Sequence, residues 1–415
     1  MKTRWCCSLL RNVTLAVILT LQAQPLRAQP LQTHPLQVQP VQTHPLQVLP
    51  VQTHPLQVQP VQTHPLQVQP VQAQPVQAQP VQAQDLRPVR DSIGFCWNAG
   101  EMTAFMKYLE AHADSAQQRE ESLIAAISVH DDYLYAGRVY YPLYKMIHAK
   151  EVVIFGVTHG SVSKEMGPLS NVVILDEYTR WRGVYRDVEI SPLRSIIRKQ
   201  LPPEYLLTSN KAHALEHSIE ALVPFLQYYN RNVKITPIMV TRMPFERMEE
   251  LSLRLAAILA GYITANHLEL GKDIFFLISN DADHYGPDFN NAPYGIDTRA
   301  HRLATENDRR IISEHLTGEI TRAGIHGLTG EIWPDTTTKK PIPVWCGRYP
   351  ITLGLLTVTD LLHQLGRGAP SGSLIKYSDT FTEKVLPFKE SSMGLTAVFS
   401  YQHWCAWFTE GFYVK

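Results

Sequence analysis

The strongest constraint on the fold is an alternation of short apolar runs with segments of helical periodicity between residues 91 and 415. The helical segments are long enough to cross over a sheet, and they span 102–112, 136–148, 213–229 and 246–265. The apolar runs have the length of buried strands: SLIAAISV (122–129), EVVIFGV (151–157), VKITPIMV (233–240) and DIFFLIS (273–279). The pattern predicts an α/β fold, a single layered domain whose mixed, largely parallel central sheet is flanked by helices.

The C-terminal part of the chain continues the same pattern. It predicts helices at 298–316 and 352–365, and strands at 372–378 and 394–401. The tail after Tyr401 is rich in aromatic residues, which could cover a cleft or recruit a partner.

A repeat tract precedes this domain and has no periodic apolar face that could join a core. Proline recurs at every fifth position from Pro25 to Pro80, in units such as PLQTH and PVQAQ. This composition is typical of disordered polyproline II segments, so we expect a semi-rigid spacer at 29–90. A repeat expansion without a specific role explains the pattern equally well. The histidines at 34, 44, 54 and 64 would lie about 31 Å apart in that conformation, too far to share one ion.

The N-terminus has the order of a secretory signal peptide. Lys2, Arg4 and Arg11 come first, and an apolar run at 13–21 precedes the small residues Ala23 and Ala28. A spanning helix needs about 20 apolar residues, so this run is too short for a permanent anchor. We therefore expect residues 1–28 to be removed and the protein to be exported, periplasmic or secreted, without a transmembrane segment.

Charge and cysteine content exclude two other classes of protein. The chain carries 38 basic and 38 acidic residues, so it lacks the positive surplus on which general nucleic-acid binding depends. Its five cysteines include Cys6 and Cys7 in the predicted signal peptide, which leaves too few for a disulfide scaffold.

Residues with metal-binding or catalytic chemistry follow the predicted strands, at the edge where open α/β sheets bind ligands. They are His130, His159, Asp281, Asp283 and His284. Cys346 precedes a predicted helix whose dipole would favour its thiolate, and His217 lies apart, within the predicted helix 213–229. Each residue alone has an ordinary structural explanation as a loop, turn or core residue. Their common placement indicates a metal site.

The ordered motifs HDDYLYAG, VIFGVTHG, EHSIEALVPFLQY, SNDADHYG and CGRYPI resemble the Memo family, which is system protein B of the AmmeMemoRadiSam grouping. The resemblance covers roughly residues 92–401. SIGFCWNAGEMTAFM is similar to the opening segment of the family and SSMGLTAVFSYQ to its closing strand. The family in turn resembles class III extradiol dioxygenases, which open aromatic rings with non-haem iron and oxygen. A shared fold does not by itself establish the reaction.

The resemblance implies a role for each candidate residue. His130, His159 and Cys346 match the metal ligands, and Asp281 is the alternative third ligand. Asp281 and His284 match catalytic positions, with His284 as the acid/base, and His217, Asp283 and Asp131 are expected to support the ligands. Fe(II) is the expected ion, with copper and zinc as alternatives. Asp131 and Asp132 stand where the family has small residues, and these carboxylates could join the site.

Two functions fit these observations. The first is an exported, metal-dependent redox enzyme of dioxygenase type that acts on a phenolic or other small organic molecule. The second is a non-catalytic binding module that holds a peptide, a modified protein or a metal on the same scaffold.

We expect the mature protein to begin at Gln24 or Gln29, because signal peptides are cleaved after small residues such as Ala23 and Ala28. N-terminal sequencing of the protein isolated from its native cells checks this. A cytoplasmic species that begins at Met1 or Lys2 would contradict export.

Overall fold

The computed structural model describes residues 85–112, 121–334, 341–389 and 391–415. The predicted signal peptide, the repeat tract up to residue 84 and the four tract histidines lie outside these residues.

The described strands are, in chain order, β1 (Leu86–Arg87), β2 (Ser122–Ser128), β3 (Glu151–Val157), β4 (Val173–Leu175), β5 (Arg180–Trp181), β6 (Val188–Ile190), β7 (Leu206–Thr208), β8 (Lys234–Val240), β9 (Ile274–Ser279), β10 (His284–Tyr285), β11 (Gly318–Glu319), β12 (Ser371–Asp379) and β13 (Trp404–Val414).

The described α-helices are α1 (Ala99–His112), α2 (Tyr133–Tyr144), α3 (Gly160–Met166), α4 (Pro192–Gln200), α5 (Asn210–Leu215), α6 (Val223–Tyr229), α7 (Phe245–Ala265), α8 (Thr298–His315), α9 (Arg322–Ile332), α10 (Arg348–Gln364) and α11 (Thr380–Glu383). Short 3₁₀ turns occupy Pro203–Tyr205, Glu220–Leu222 and Pro287–Phe289. None of the described helices combines the length and the apolar character that crossing a bilayer requires.

The strands form one mixed sheet, in the order β1-β5-β6-β8-β3-β9-β2-β13-β12-β11. Its centre is parallel, because β8, β3, β9 and β2 all run in the same direction. The last three strands of the order, β13, β12 and β11, are antiparallel to their neighbours. The structure confirms the predicted α/β fold with a mixed, largely parallel central sheet.

Helices cover both faces of the sheet, which explains why the central strands are apolar at nearly every position. In β3, Val153 and Phe155 face one core, and Val152 and Ile154 face the other. Helices α7 and α10 pack on the first face, and α1, α2 and α6 pack on the second. The four central strands and most helices were predicted correctly, with ends displaced by a few residues.

The strand predicted at 394–401 is wrong. That segment is irregular, because its backbone is held by contacts outside the sheet: Gly394 N donates to Ile93 O at 2.7 Å and Thr396 N to the Asp132 carboxylate at 2.6 Å. The true closing strand is β13, which lies in the aromatic tail after Tyr401. It is buried along its length and pairs with both β2 and β12, so the tail is part of the core.

The continuous helix predicted at 213–229 is also wrong. It is interrupted between α5 and the turn that begins at Glu220. The Glu216 carboxylate accepts hydrogen bonds from His217 N and Ser218 N. The Arg87 guanidinium donates hydrogen bonds to the backbone carbonyls of His213 and Glu216. A continuous helix would need these backbone groups for its own hydrogen bonds.

Arg87 belongs to this fold although it precedes the predicted domain start at Asp91. Its side chain is buried, forms an ion pair with Glu220, and lies 4.2 Å from the ring centroid of Trp181. The Glu220 carboxylate also accepts Arg90 N at 2.9 Å and Asp91 N at 2.6 Å. The residues before Asp91 are therefore tied to the segment that carries Glu216 and His217.

We expect Arg87→Met to lower the free energy of unfolding by roughly 3–5 kcal/mol, because it leaves the Glu220 carboxylate buried without its cation. Arg302→Met is the control, since the Arg302–Glu306 pair is exposed and should contribute at most about 0.5 kcal/mol. Denaturant unfolding of the full chain measures both. Equal losses in the two variants would contradict a structural role for the buried pair.

Candidate metal centre

The candidate residues meet at the carboxyl edge of the parallel sheet. His130 follows β2, His159 follows β3, and Asp281 to His284 follow β9. Because these three strands are parallel neighbours, their carboxyl ends reach the same edge. Cys346 joins them from the segment before α10, where a side chain at Gly347 would come within 2.4 Å of Ser279 O. The glycine allows this segment to approach the strand end.

Hydrogen bonding fixes the tautomer of His130. The single Ser279 hydroxyl proton is donated to Ser218 O at 2.8 Å, so Ser279 Oγ accepts its 2.7 Å bond from His130 Nδ1–H. Burial, followed by the nearby His159 and His217 rings, lowers the pKa of His130 well below its ordinary value. The ring is therefore neutral, with a lone pair on Nε2 that is available to a metal ion.

His159 is oriented by a carboxylate. Glu216 Oε1 lies 2.8 Å from His159 Nδ1 and can only accept, so Nδ1 carries the proton and Nε2 is free for a ligand role. Burial alone would lower the pKa of His159, but the charge and the hydrogen bond of Glu216 together outweigh burial and raise it. Carboxylate-bound imidazoles of this kind are frequent metal ligands.

Glu216 orients the metal site, and the sequence indicated it only as a carboxylate suited to hydrogen-bond an imidazole. It is buried, and its carboxylate accepts four hydrogen bonds, from the ring and the backbone of His159 and from the backbones of His217 and Ser218. Its segment packs against β3 because Gly156 has no side chain there; an added Cβ would lie 2.3 Å from Ile219 Cγ1. The only signal in the sequence was its position beside His217.

Cys346 lies close to His130. Its Sγ accepts a hydrogen bond from Asp281 N at 3.0 Å and lies 3.3 Å from His130 Nε2. Burial, followed by the charge of Asp281, raises the pKa of the Cys346 thiol well above its ordinary value. The expectation that the helix dipole would favour a thiolate is therefore wrong for the metal-free protein, because desolvation is the larger effect.

These three residues fit a metal ion. One ligand atom from each of His130, His159 and Cys346 lies within 4.8 Å of the others. The Cys346 thiol has two acceptors within reach, His130 Nε2 at 3.3 Å and Asp281 O at 3.7 Å. A cation that displaced the thiol proton would gain a thiolate and two imidazole nitrogens as ligands. Nitrogen and sulfur donors of this type suit iron, copper or zinc.

A second group, His159, Glu216 and His217, also has the spacing of a metal site. Its hydrogen bonds argue for an orienting role instead, because Glu216 Oε1 already accepts three of them. His217 stacks on His159 with ring centroids 4.7 Å apart and an interplanar angle of 5°. Desolvation, followed by His159, lowers the pKa of His217 to about 4, so the stacked ring is neutral.

Asp281 lies beside the triad. Its Oδ1 accepts His130 N at 2.9 Å, and its Oδ2 lies 3.4 Å from His130 Nε2. Burial, followed by the charge of Asp131, raises the pKa of Asp281 well above its ordinary value. Asp281 therefore holds the His130 backbone and remains the alternative to Cys346 as third ligand.

His284 faces the cavity with one nitrogen engaged. Its Nδ1 lies 3.2 Å from Ala282 O and donates to it, which leaves Nε2 with a lone pair when the ring is neutral. Burial lowers the pKa of His284, and the main opposing charge is that of Asp131. Asp281 and Asp283, although nearer in the sequence, are not the main charges that act on this ring. Asp283 accepts Asn291 Nδ2 and Val344 N and supports the loop instead.

The two carboxylates of the altered first motif are held within the protein. Asp131 Oδ2 accepts Trp407 Nε1 at 2.8 Å, and Asp132 Oδ2 accepts the backbone and hydroxyl of Thr396. Burial, followed by Asp131, raises the pKa of Asp132 to about 7. Both residues line the cavity, and Asp132 also ties the irregular closing segment to the site.

A cavity of about 650 Å³ opens above the triad. His130, His159, His217 and His284 contribute to its floor and walls. Its aromatic lining residues are Phe95, Tyr135, Phe289, Phe399 and Trp404. The volume is typical of small-molecule sites. The lining is mixed, because the aromatic side chains stand among histidines and the carboxylates of Asp91, Asp131, Asp132 and Asp281.

Comparison with known proteins places this arrangement in a family. A family model described as "Memo-like protein" matches residues 95–384. Curated relatives are each named "MEMO1 family protein". The one from Aquifex aeolicus is 31% identical over 165 residues, and the one from Archaeoglobus fulgidus is 28% identical over 171 residues.

The extent of these matches differs. They cover 39% and 41% of this chain, and 55% and 58% of the Aquifex and Archaeoglobus relatives, so the chain spans little more than half of either. The relative from Methanosarcina barkeri, MEMO1 family protein Mbar_A1422, is 24% identical over 276 residues, which cover 66% of this chain and 86% of the relative.

We expect one metal ion per chain, and we expect His159→Ala and Cys346→Ala each to lose it, because either change removes a donor from the triad. Metal analysis after dialysis measures the content. His403→Ala is the control, since this cavity histidine instead pairs with Asp288 at 3.3 Å. Full occupancy in Cys346→Ala with loss in Asp281→Ala would transfer the third ligand to the carboxylate.

Proposed function

The chain belongs to the Memo-like protein family, and from that premise we propose that it is a metal-dependent redox enzyme of dioxygenase type. The observation that carries the proposal is the triad of His130, His159 and Cys346, whose two histidines line a cavity with aromatic, histidine and carboxylate side chains. Two imidazoles and a thiolate occupy only part of a coordination sphere, and catalytic metals require such open positions.

Fe(II) is the proposed ion, with copper and zinc as alternatives to be decided by metal analysis. When bound, such an ion supplies the redox chemistry with oxygen on which ring-opening dioxygenases depend. The protein's own contribution is orientation: Ser279 and Glu216 hold the two imidazoles with Nε2 toward the site.

The proposed substrate is a catechol or a similar small phenol. The cavity volume of about 650 Å³ and its aromatic lining suit one aromatic ring with a short substituent. In the proposed reaction both atoms of one O₂ enter one catechol while a ring carbon–carbon bond breaks. No other oxidant or reductant is needed.

His284 is the proposed acid/base. Its Nδ1–H is held by Ala282 O, so its Nε2 can accept a proton from a substrate hydroxyl and return it later. Burial keeps the free ring neutral, which is the state a base requires. Asp131, the nearest strong opposing charge, would stabilise the ring once it is protonated.

We also propose that the protein is exported. The proposal rests on the charged start, the short apolar run and the small residues that precede Gln24 and Gln29. Metal coordination would protect the Cys346 sulfur from oxidation outside the cytoplasm.

Anaerobic loading with Fe(II), followed by oxygen uptake against a panel of catechols, tests the activity. We expect consumption of one O₂ per catechol lost. Full iron occupancy without oxygen uptake for any catechol would contradict the proposed activity. It would support the alternative, a binding module that holds a peptide, a modified protein or the metal without turnover.

His284→Gln should keep the metal while kcat falls by roughly 10² to 10⁴, the usual contribution of a positioned acid/base. His403→Gln is the matched control, because it alters another cavity histidine whose ring pairs with Asp288. Iron content and oxygen uptake per folded molecule are measured together. Unchanged turnover in His284→Gln would show that this residue only forms a hydrogen bond within its loop. Loss of iron would instead show that His284 is a metal ligand.

A further inference from the structure

A buried carboxylate on α8 lies outside every role assigned so far. Asp308 is 0% exposed and occupies the core-facing stripe of the helix with Ala300, Ala304, Ile311 and Ile312. Helical periodicity predicts an apolar residue at this position. A buried carboxylate is costly unless it is well hydrogen-bonded, so its partners indicate why it is there.

Asp308 accepts hydrogen bonds from three separate segments. Its Oδ1 accepts Trp345 Nε1 at 2.8 Å, and its Oδ2 accepts Tyr377 OH at 3.0 Å and Asp283 N at 3.3 Å. Tyr377 belongs to β12, which is a rigid part of the sheet. The carboxylate therefore anchors two loops to the sheet and to α8.

The first of these loops carries the thiol. Trp345 immediately precedes Cys346, is fully buried, and packs against Phe408 with ring centroids 5.1 Å apart. On the other side of the thiol, Gly347 N donates to Asn280 Oδ1 at 2.9 Å. Cys346 is thus held between two fixed neighbours, and the indole anchor depends on Asp308.

The second loop carries His284. Asp283 N donates to Asp308, and His284 N donates to Val344 O at 3.2 Å. Val344 N in turn donates to Asp283 Oδ1 at 2.8 Å, which joins the two loops to each other. Asp308 does not line the cavity, so it can act on the site only through these loops.

We propose that Asp308 is a positioning residue. By anchoring both loops, it fixes where the Cys346 sulfur and the His284 ring lie at the metal site. This inference rests on the proposed metal binding. It assigns a role to a residue on α8 that contacts neither the ion's ligands nor the cavity.

Asp308→Asn is the sharpest variant. The carboxylate accepts from both Trp345 and Asp283, whereas an amide of the same shape has one accepting oxygen and a donating NH₂ group. Whichever way the amide turns, one N–H donor loses its acceptor. Trp345→Phe is a second variant that removes only the indole donor and keeps the buried ring.

Two measurements on the full chain test the role. Titration with Co(II) alone should show affinity weakened about 10–100-fold in Asp308→Asn, with an altered thiolate-to-cobalt absorption band. Trp345→Phe should also weaken Co(II) affinity and alter the absorption band. Asp360→Asn is the control, since that buried carboxylate on α10 bonds Ser252 and Arg322, and should leave affinity and band unchanged.

The second measurement needs no metal. Alkylation rates of Cys346, Cys96 and Cys405, resolved by peptide mass spectrometry, should rise at Cys346 alone in Asp308→Asn, because Cys346 is the one of these three cysteines that lies in a loop anchored by Asp308. A general loss of structure would instead raise the rates of all three together, which would overturn the proposal.

Wild-type affinity and absorption in both Asp308→Asn and Trp345→Phe would also overturn it. If the wild-type protein binds no Co(II), the proposed function fails, and the alkylation rates alone then decide the role of Asp308.

Discussion

Parallel pairing of β2, β3 and β9 brings the carboxyl ends of three strands to one edge of the sheet, and the candidate site depends on this alignment. His130, His159 and the loop from Asp281 to His284 each follow one of these strands. The strands themselves stay in place because they are apolar on both faces and are covered by helices on both sides. The site is therefore built from loops on a rigid scaffold, as catalytic sites commonly are.

Desolvation is the main electrostatic influence at this edge. It keeps the His130 and His284 rings neutral and the Cys346 thiol protonated, and it favours the neutral form of Asp281. Glu216 is the exception, because the charge and hydrogen bonds of His159 and its neighbours lower its pKa well below the ordinary value despite burial. The Glu216 carboxylate is thus a fixed negative charge that orients His159.

Segments from both ends of the described chain complete the cavity. Residues 90–95 line one side of it, and they are tied to the scaffold through Arg87 and Glu220. β13 contributes Trp404 and Cys405 to the cavity wall, while its Trp407 binds Asp131. Asp131 of the altered first motif therefore has its partner in the aromatic tail, whereas Asp132 binds Thr396, which precedes the tail. These hydrogen bonds explain how the two neighbouring carboxyl groups are accommodated at the cavity.

The sequence by itself determined the fold class, the four central strands and the residues that gather at their carboxyl ends, because these follow from local apolar periodicity and from the edge of a parallel sheet. It also indicated His130, His159 and Cys346 through family motifs. Only the tertiary structure decided that β13 is a core strand, that the helix stops at Glu216, and that Ser279, Glu216 and Asp308 hold the site. Each of these features depends on contacts between residues that are distant in the chain. Ser279 Oγ accepts a hydrogen bond from His130, and Arg87 donates to carbonyls more than a hundred residues away. Local periodicity carries no information about such contacts. The pKa shifts caused by desolvation likewise arise only when the folded chain buries the groups concerned.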